Sequence, residues 1–95
     1  LVRLEYRHFE AARAETEARR LADLLMGEID RQKRVQTDII GPAPCFFARV
    51  AGQYRWQIVL RGPDPESLVR ELKQGEATSH ALKDWRVEVE PISLL

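Results

Sequence analysis

Three arginines, Arg49, Arg55 and Arg61, and the amide of Gln57 share one stretch with four aromatic residues, Phe46, Phe47, Tyr54 and Trp56. A guanidinium presents a planar fork of donors that fits a phosphate and can stack on a base. Aromatic rings offer platforms for unpaired bases. Most protein–nucleic acid hydrogen bonds go to the sugar–phosphate backbone, so a few arginines and a glutamine can position a strand without reading it. Lys33 and Arg34 form a second, weaker basic group just upstream. From Arg31 to Gly62 six cations meet one acid, Asp38, so that segment carries +5, and the rest of the chain balances it to a net charge of zero. The same residues also admit a plainer reading. Tyr54 and Trp56 share a parity with Ile58 and Leu60 and so belong to a core, and the arginines then solubilise the outer side of a strand.

Other chemistries find little support. There is no GxxxxGK[ST] loop and no GxGxxG, GxSxG or HExxH. His8 and His80 have no evident cysteine or serine partner and read as surface or edge histidines. Cys45 is the single cysteine, which excludes an internal disulfide, and two histidines are too few to complete a structural zinc site with it. Beside two phenylalanines it reads as a buried, inert thiol. Glu88 and Glu90 fall on one side of a strand and read as a solvated face. No enzyme activity is expected of this chain.

The elements that must position these side chains follow from periodicity. Residues 1–8 alternate, with Val2, Leu4 and Tyr6 on one face and Arg3, Glu5 and Arg7 on the other, a half-buried strand. Residues 9–31 are rich in helix formers, and Ala14, Ala18, Leu21, Leu25 and Ile29 make one apolar stripe. A strand is expected over 35–40. Gly41-Pro42-Ala43-Pro44 should interrupt it, because proline cannot donate to a sheet ladder, and an extended pattern resumes over 45–50. Ala51-Gly52-Gln53 reads as a hairpin turn, and residues 54–60 as the clearest strand. Asp64 and Pro65 open a helix, which Gly75 ends. Residues 76–84 read as a loop or a further helical turn. A last strand over 85–90 stops at Pro91, before a short apolar tail.

The order β-α-β-β-α-β predicts an α+β, ferredoxin-like fold, a four-stranded antiparallel sheet with two helices on one face. That fold hosts the acylphosphatases, but their phosphate-cradling loop after the first strand is here Arg7-His8-Phe9-Glu10, with no glycine. Ninety-five residues make one domain, 1–95. No apolar run approaches the length of a membrane span, and no secretory signal pattern is present. The chain starts at Leu1 directly in a strand pattern, which suggests a fragment of a longer or processed protein.

The stretch GPAPCFFARVAGQYRWQIVLRG, from Gly41 to Gly62, resembles the hairpin of the C-terminal domain of PriA, the bacterial primosomal replication-restart helicases. There a strand is followed by G-P-x-P, an arginine, G-x-Y/W-R-W-Q and an apolar strand. Gly41, Pro42, Pro44, Arg49, Gly52, Tyr54, Arg55, Trp56 and Gln57 match. Trp85, Val87, Val89 and Pro91 match the end of that family, with Glu88 and Glu90 where aspartates are usual. The resemblance implies the fold of a small-subunit ribosomal protein and a cytoplasmic, nucleoid-associated bacterial protein. It further implies a C-terminal DNA-binding domain of a longer helicase, whose ATP, magnesium and zinc sites lie outside this chain. The partners it implies are single-stranded, forked or branched DNA, the helicase core, single-stranded-DNA-binding protein and other primosome proteins, and no membrane. The expected DNA contacts are Arg49, Arg55, Gln57 and Arg61, with Lys33 and Arg34 behind them, while Gly41, Pro42, Gly52 and Trp56 shape the hairpin. The competing expectation is a protein-docking module. An exposed apolar patch centred on Phe46 and Phe47 would mark docking, and a contiguous basic face with both buried would mark DNA.

Overall fold

A computed structural model describes residues 1–90. The chain runs β1 (Val2–His8), α1 (Ala11–Arg31), β2 (Asp38–Val50), β3 (Gln53–Arg61), α2 (Pro65–Gln74), α3 (Glu76–Ser79), a 3-10 turn (His80–Leu82) and β4 (Arg86–Val89). The four strands form one sheet in the order β2-β3-β1-β4, antiparallel throughout. This is the predicted α+β arrangement.

The core follows from two periodicities. Val2, Leu4 and Tyr6 of β1 stand beside Ile58 and Leu60 of β3, and against them pack Ala14, Ala18, Leu21 and Leu25 of α1 and Leu68, Val69 and Leu72 of α2. Three alanines in that stripe, at 14, 18 and 22, leave room for α1 to lie close to the strands. Tyr54 and Trp56 pack on the rim of this core, as their parity requires, and Trp85 closes it with its ring centroid 5.3 Å from that of Tyr6.

Local signals set the ends. Asp64 accepts a hydrogen bond from the Ser67 backbone N–H, and Pro65 takes the first position of α2, where its missing donor costs nothing. At α1 the backbone N–H of Glu10 donates to Nδ1 of His8 at 2.9 Å. The β2–β3 turn uses Ala51 and Gly52, with φ of 52° and 79°; two positive φ values are what a two-residue hairpin turn needs.

Two elements depart from the sequence expectation. β1 is not half-buried: Val2 to Tyr6 are all buried, because part of β2 covers the outer side of the strand. The prolines do not divide the second strand. β2 runs unbroken past Pro42 and Pro44 because it lies at the sheet edge, where a lost donor is tolerated, and because its register with β3 shifts there. It starts at Asp38 rather than Val35, and Val35 is fully exposed in the link from α1. The polar 76–84 segment takes the helical one of its two expected forms, as α3 and the 3-10 turn. The expected tail at 91–95 lies outside the described residues. No helix among the described residues is long and apolar enough to cross a membrane.

Candidate nucleic-acid interface

The register between β2 and β3 builds the central feature. Ile40 pairs with Val59 and Ala43 with Gln57, three steps on β2 against two on β3; Pro44 then pairs with Trp56 and Arg49 with Tyr54, five steps against two. The surplus residues cannot lie flat in the ladder, and Cys45–Ala48 form an arch over the sheet face that carries no helix. Two bonds pin the arch. Arg3 of β1 donates from Nη2 to Cys45 Sγ at 3.6 Å, and Arg55 of β3 donates from Nη1 to the Phe47 carbonyl at 3.0 Å. Cys45 is thereby buried, and burial pushes its thiol up from the ordinary value, which makes it a poor nucleophile. Phe46 and Phe47 point away from the arch, 73% and 55% exposed, in edge-to-face contact with centroids 5.1 Å apart.

Under the arch lies a charge network. Oε1 of Glu5 accepts from Arg55 Nε and from Arg7 Nε, each at 2.7 Å, and its Oε2 stands 3.4 Å from Arg3 Nη1. Arg3 also donates to Gln57 Oε1 at 2.9 Å and to Glu88 at 3.3 Å. Burial by itself would raise the Glu5 carboxyl; hydrogen bonds from Arg55 and Arg7, together with their charges, outweigh it and hold the group below its ordinary value. This explains why β1 is buried on both faces. Its Arg3 and Glu5 read as solvent-facing in the sequence, but the arch covers them. No buried side-chain polar atom among the described residues lacks a partner.

The predicted contact residues separate accordingly. Arg55, 6% exposed, is not on an open surface; it ties β3 to Glu5 and to the arch. Gln57 is half-buried and holds Arg3. Arg34 bridges α1 to α2 through Ser67 Oγ at 2.9 Å, the Asp64 carbonyl at 3.4 Å and Glu71 at 3.5 Å. Arg61 is exposed and paired with Asp38 at 3.1 Å. Lys33 is exposed after the end of α1, at a φ of 54°. Arg49 is exposed, with its guanidinium 5.2 Å from the centroid of Tyr54; among the described residues it has no carboxylate partner. Arg49 and Arg61 stand seven β3 residues apart by register, roughly 23 Å at strand spacing, so the hairpin does not gather its arginines into one patch.

Sequence reasoning missed two cations. Arg7 and Arg86 lie on the helix-free face, Arg7 opposite Arg55 and Arg86 opposite Glu5, with side chains 37% and 68% exposed. The parity of β1 and β4 does place them there; the missing information was that this face is partly roofed, and by what.

The chain matches the family described as Primosomal protein N C-terminal domain over residues 2–92. It is 36% identical over 59 residues to the replication restart protein PriA of Haemophilus influenzae, covering 59% of this chain and 8% of that protein. It is 53% identical over 32 residues to the protein of the same name from Treponema pallidum, 34% of this chain and 5% of that protein. The matches thus span less than a tenth of the length of these relatives.

Proposed function

The chain belongs to the family of primosomal protein N C-terminal domains, and on that premise we propose that it is the DNA-holding, non-enzymatic terminal module, spanning 1–95, of a replication-restart helicase. The relatives carry the name replication restart protein, and the motor, with its ATP, magnesium and zinc, belongs to the rest of the parent. Such a protein works at the bacterial nucleoid, with the helicase core, single-stranded-DNA-binding protein and other primosome proteins as partners. The observation that carries DNA binding is Arg49. It is exposed, oriented by the face of Tyr54 and without a carboxylate partner among the described residues, so a phosphate can reach it without displacing an existing ion pair. Arg61 and Lys33 extend the contacts. Arg55, Gln57 and Arg34 act through the shape of the fold, and forked or branched DNA is the expected target.

A salt titration of forked-DNA binding tests this. Arg49→Ala is expected to reduce the log–log salt slope by about 0.7–0.9, one phosphate's worth, with the melting temperature unchanged. An unchanged slope would remove Arg49 from the interface. A second reading is favoured by the exposure of Phe46 and Phe47, the feature that marks docking: the arch then seats on the helicase core or on a primosome partner.

A further inference from the structure

The geometry points to an unpaired nucleic-acid strand as the occupant of the helix-free face, with Phe46 and Phe47 stacking on bases and Arg7 and Arg86 taking the neighbouring phosphates. This rests on the DNA-binding reading and adds contacts to it that do not involve Arg49.

Charge decides between occupants. Arg3, Arg7, Arg55 and Arg86 stand on this face against Glu5 and Glu88, four cations to two acids, +2. Arg61 and Asp38, farther along, cancel, as do Glu90 and the N-terminal ammonium it pairs with. The two carboxylates are shared: Glu5 serves Arg3, Arg7 and Arg55, and Glu88 serves Arg3 and Arg86. An apolar protein surface laid over the arch would desolvate this surplus without neutralising it, which is costly. A polyanion neutralises it. A nucleic-acid strand also brings planar faces for two exposed rings, which single-strand binders use with little regard to sequence.

The pieces are mechanically linked. The carbonyl of Phe47 is held by Arg55, Arg55 shares Glu5 Oε1 with Arg7, and Arg86 lies directly opposite Glu5. One adjacent strand spacing is about 4.8 Å, so the aromatic pair and the two exposed arginines belong to a single patch. The rings are set by backbone pinned to buried groups, so little ordering cost falls on binding. Duplex DNA cannot use the rings, because its bases are stacked internally. Preference for a single strand is therefore the signature of this site.

The test compares binding of an oligo-dT strand, a same-length abasic strand and a duplex by fluorescence anisotropy, with melting temperatures recorded for every variant. Phe46→Ala with Phe47→Ala is expected to weaken oligo-dT by about fivefold or more, and to leave the abasic strand and the duplex unchanged. Arg7→Gln with Arg86→Gln should lower the salt slope for both single strands by about 0.7 for each phosphate no longer neutralised. Phe46→Leu with Phe47→Leu keeps apolar volume without rings and should reproduce the oligo-dT loss should the alanine pair disturb folding. Equal effects of the ring variants on dT and abasic strands, or none on either, would overturn the inference, the latter leaving the rings to a protein. If Arg49→Ala still lowers duplex affinity in that event, the DNA-binding reading survives the loss of this site. If no DNA binds the unaltered chain, both fail together.

Discussion

Glu5→Ala is expected to lower the unfolding free energy by about 3–5 kcal/mol, the usual cost of leaving a buried ionic partner alone. Three guanidiniums converge on this carboxylate, and two of them, on Arg3 and Arg55, are buried with it. Alanine removes the carboxylate that those cations share and leaves Arg3 with Glu88. Against a typical total of roughly 5–15 kcal/mol, such a loss approaches the whole stability of a domain this small. Glu5→Gln keeps the shape and one acceptor oxygen, and its cost isolates the charge. Urea denaturation at neutral pH reads both; a change for Glu5→Ala of less than a surface substitution would show that the network contributes nothing. The pH dependence has a definite sign. The folded state holds the Glu5 carboxyl below its ordinary value, so its contribution is complete above the unfolded pKa and is lost as pH falls through the folded one. Glu5→Gln should flatten the acid side of the stability profile and leave the neutral and alkaline sides parallel to the parent.

The same network shows where sequence reasoning stopped. Alternation in β1 and β3 located the core, because burial under two helices selects every second residue whatever else the sheet does. It assigned Arg3, Glu5 and Arg55 to the other face correctly, but equated that face with water. What covers them is a departure from the ladder, in which β2 gains residues at two points and lifts Cys45–Ala48 across β3 towards β1. Periodicity assumes a regular strand and so carries no signal of an arch. The proline pair was the available clue; it reads equally well as a break or as an edge strand with shifted register. The hairpin motif that marks the family is thus divided by role. Its buried Arg55 and half-buried Gln57 build the platform, Arg49 remains at the surface, and Arg7 and Arg86, exposed cations of the helix-free face, come from elements without motif residues at those positions.

Gly41→Ala should destabilise the fold, and Gly27→Ala should stabilise it. Gly41 opens the first register shift at a φ of +99°, and a Cβ there would stand 2.9 Å from the carbonyl oxygen of Gln57 and 3.1 Å from the nitrogen of Ala43. Both are backbone atoms in a paired strand and cannot swing aside. The conformation alone costs an L-residue about 1–3 kcal/mol, and the close approach adds to it. The expected result is a melting temperature lower by at least about 4–8 °C, the scale of 1 kcal/mol in a domain of this size. Because the arch begins just beyond this point, its pinning should loosen too: Cys45, 3% exposed in the native fold, should react faster with a thiol reagent in the variant at temperatures well below its melting point. Gly27 offers the control. It lies in α1 with nothing within 4 Å of a built Cβ, so alanine there only removes the backbone entropy of a helical glycine, a gain of about 0.5–1 kcal/mol, and thiol reactivity should stay at the parent rate. If both variants shift the melting point in the same direction, the strain assigned to Gly41 is wrong; if Gly41→Ala melts early while Cys45 stays protected, the register shift does not hold the arch down.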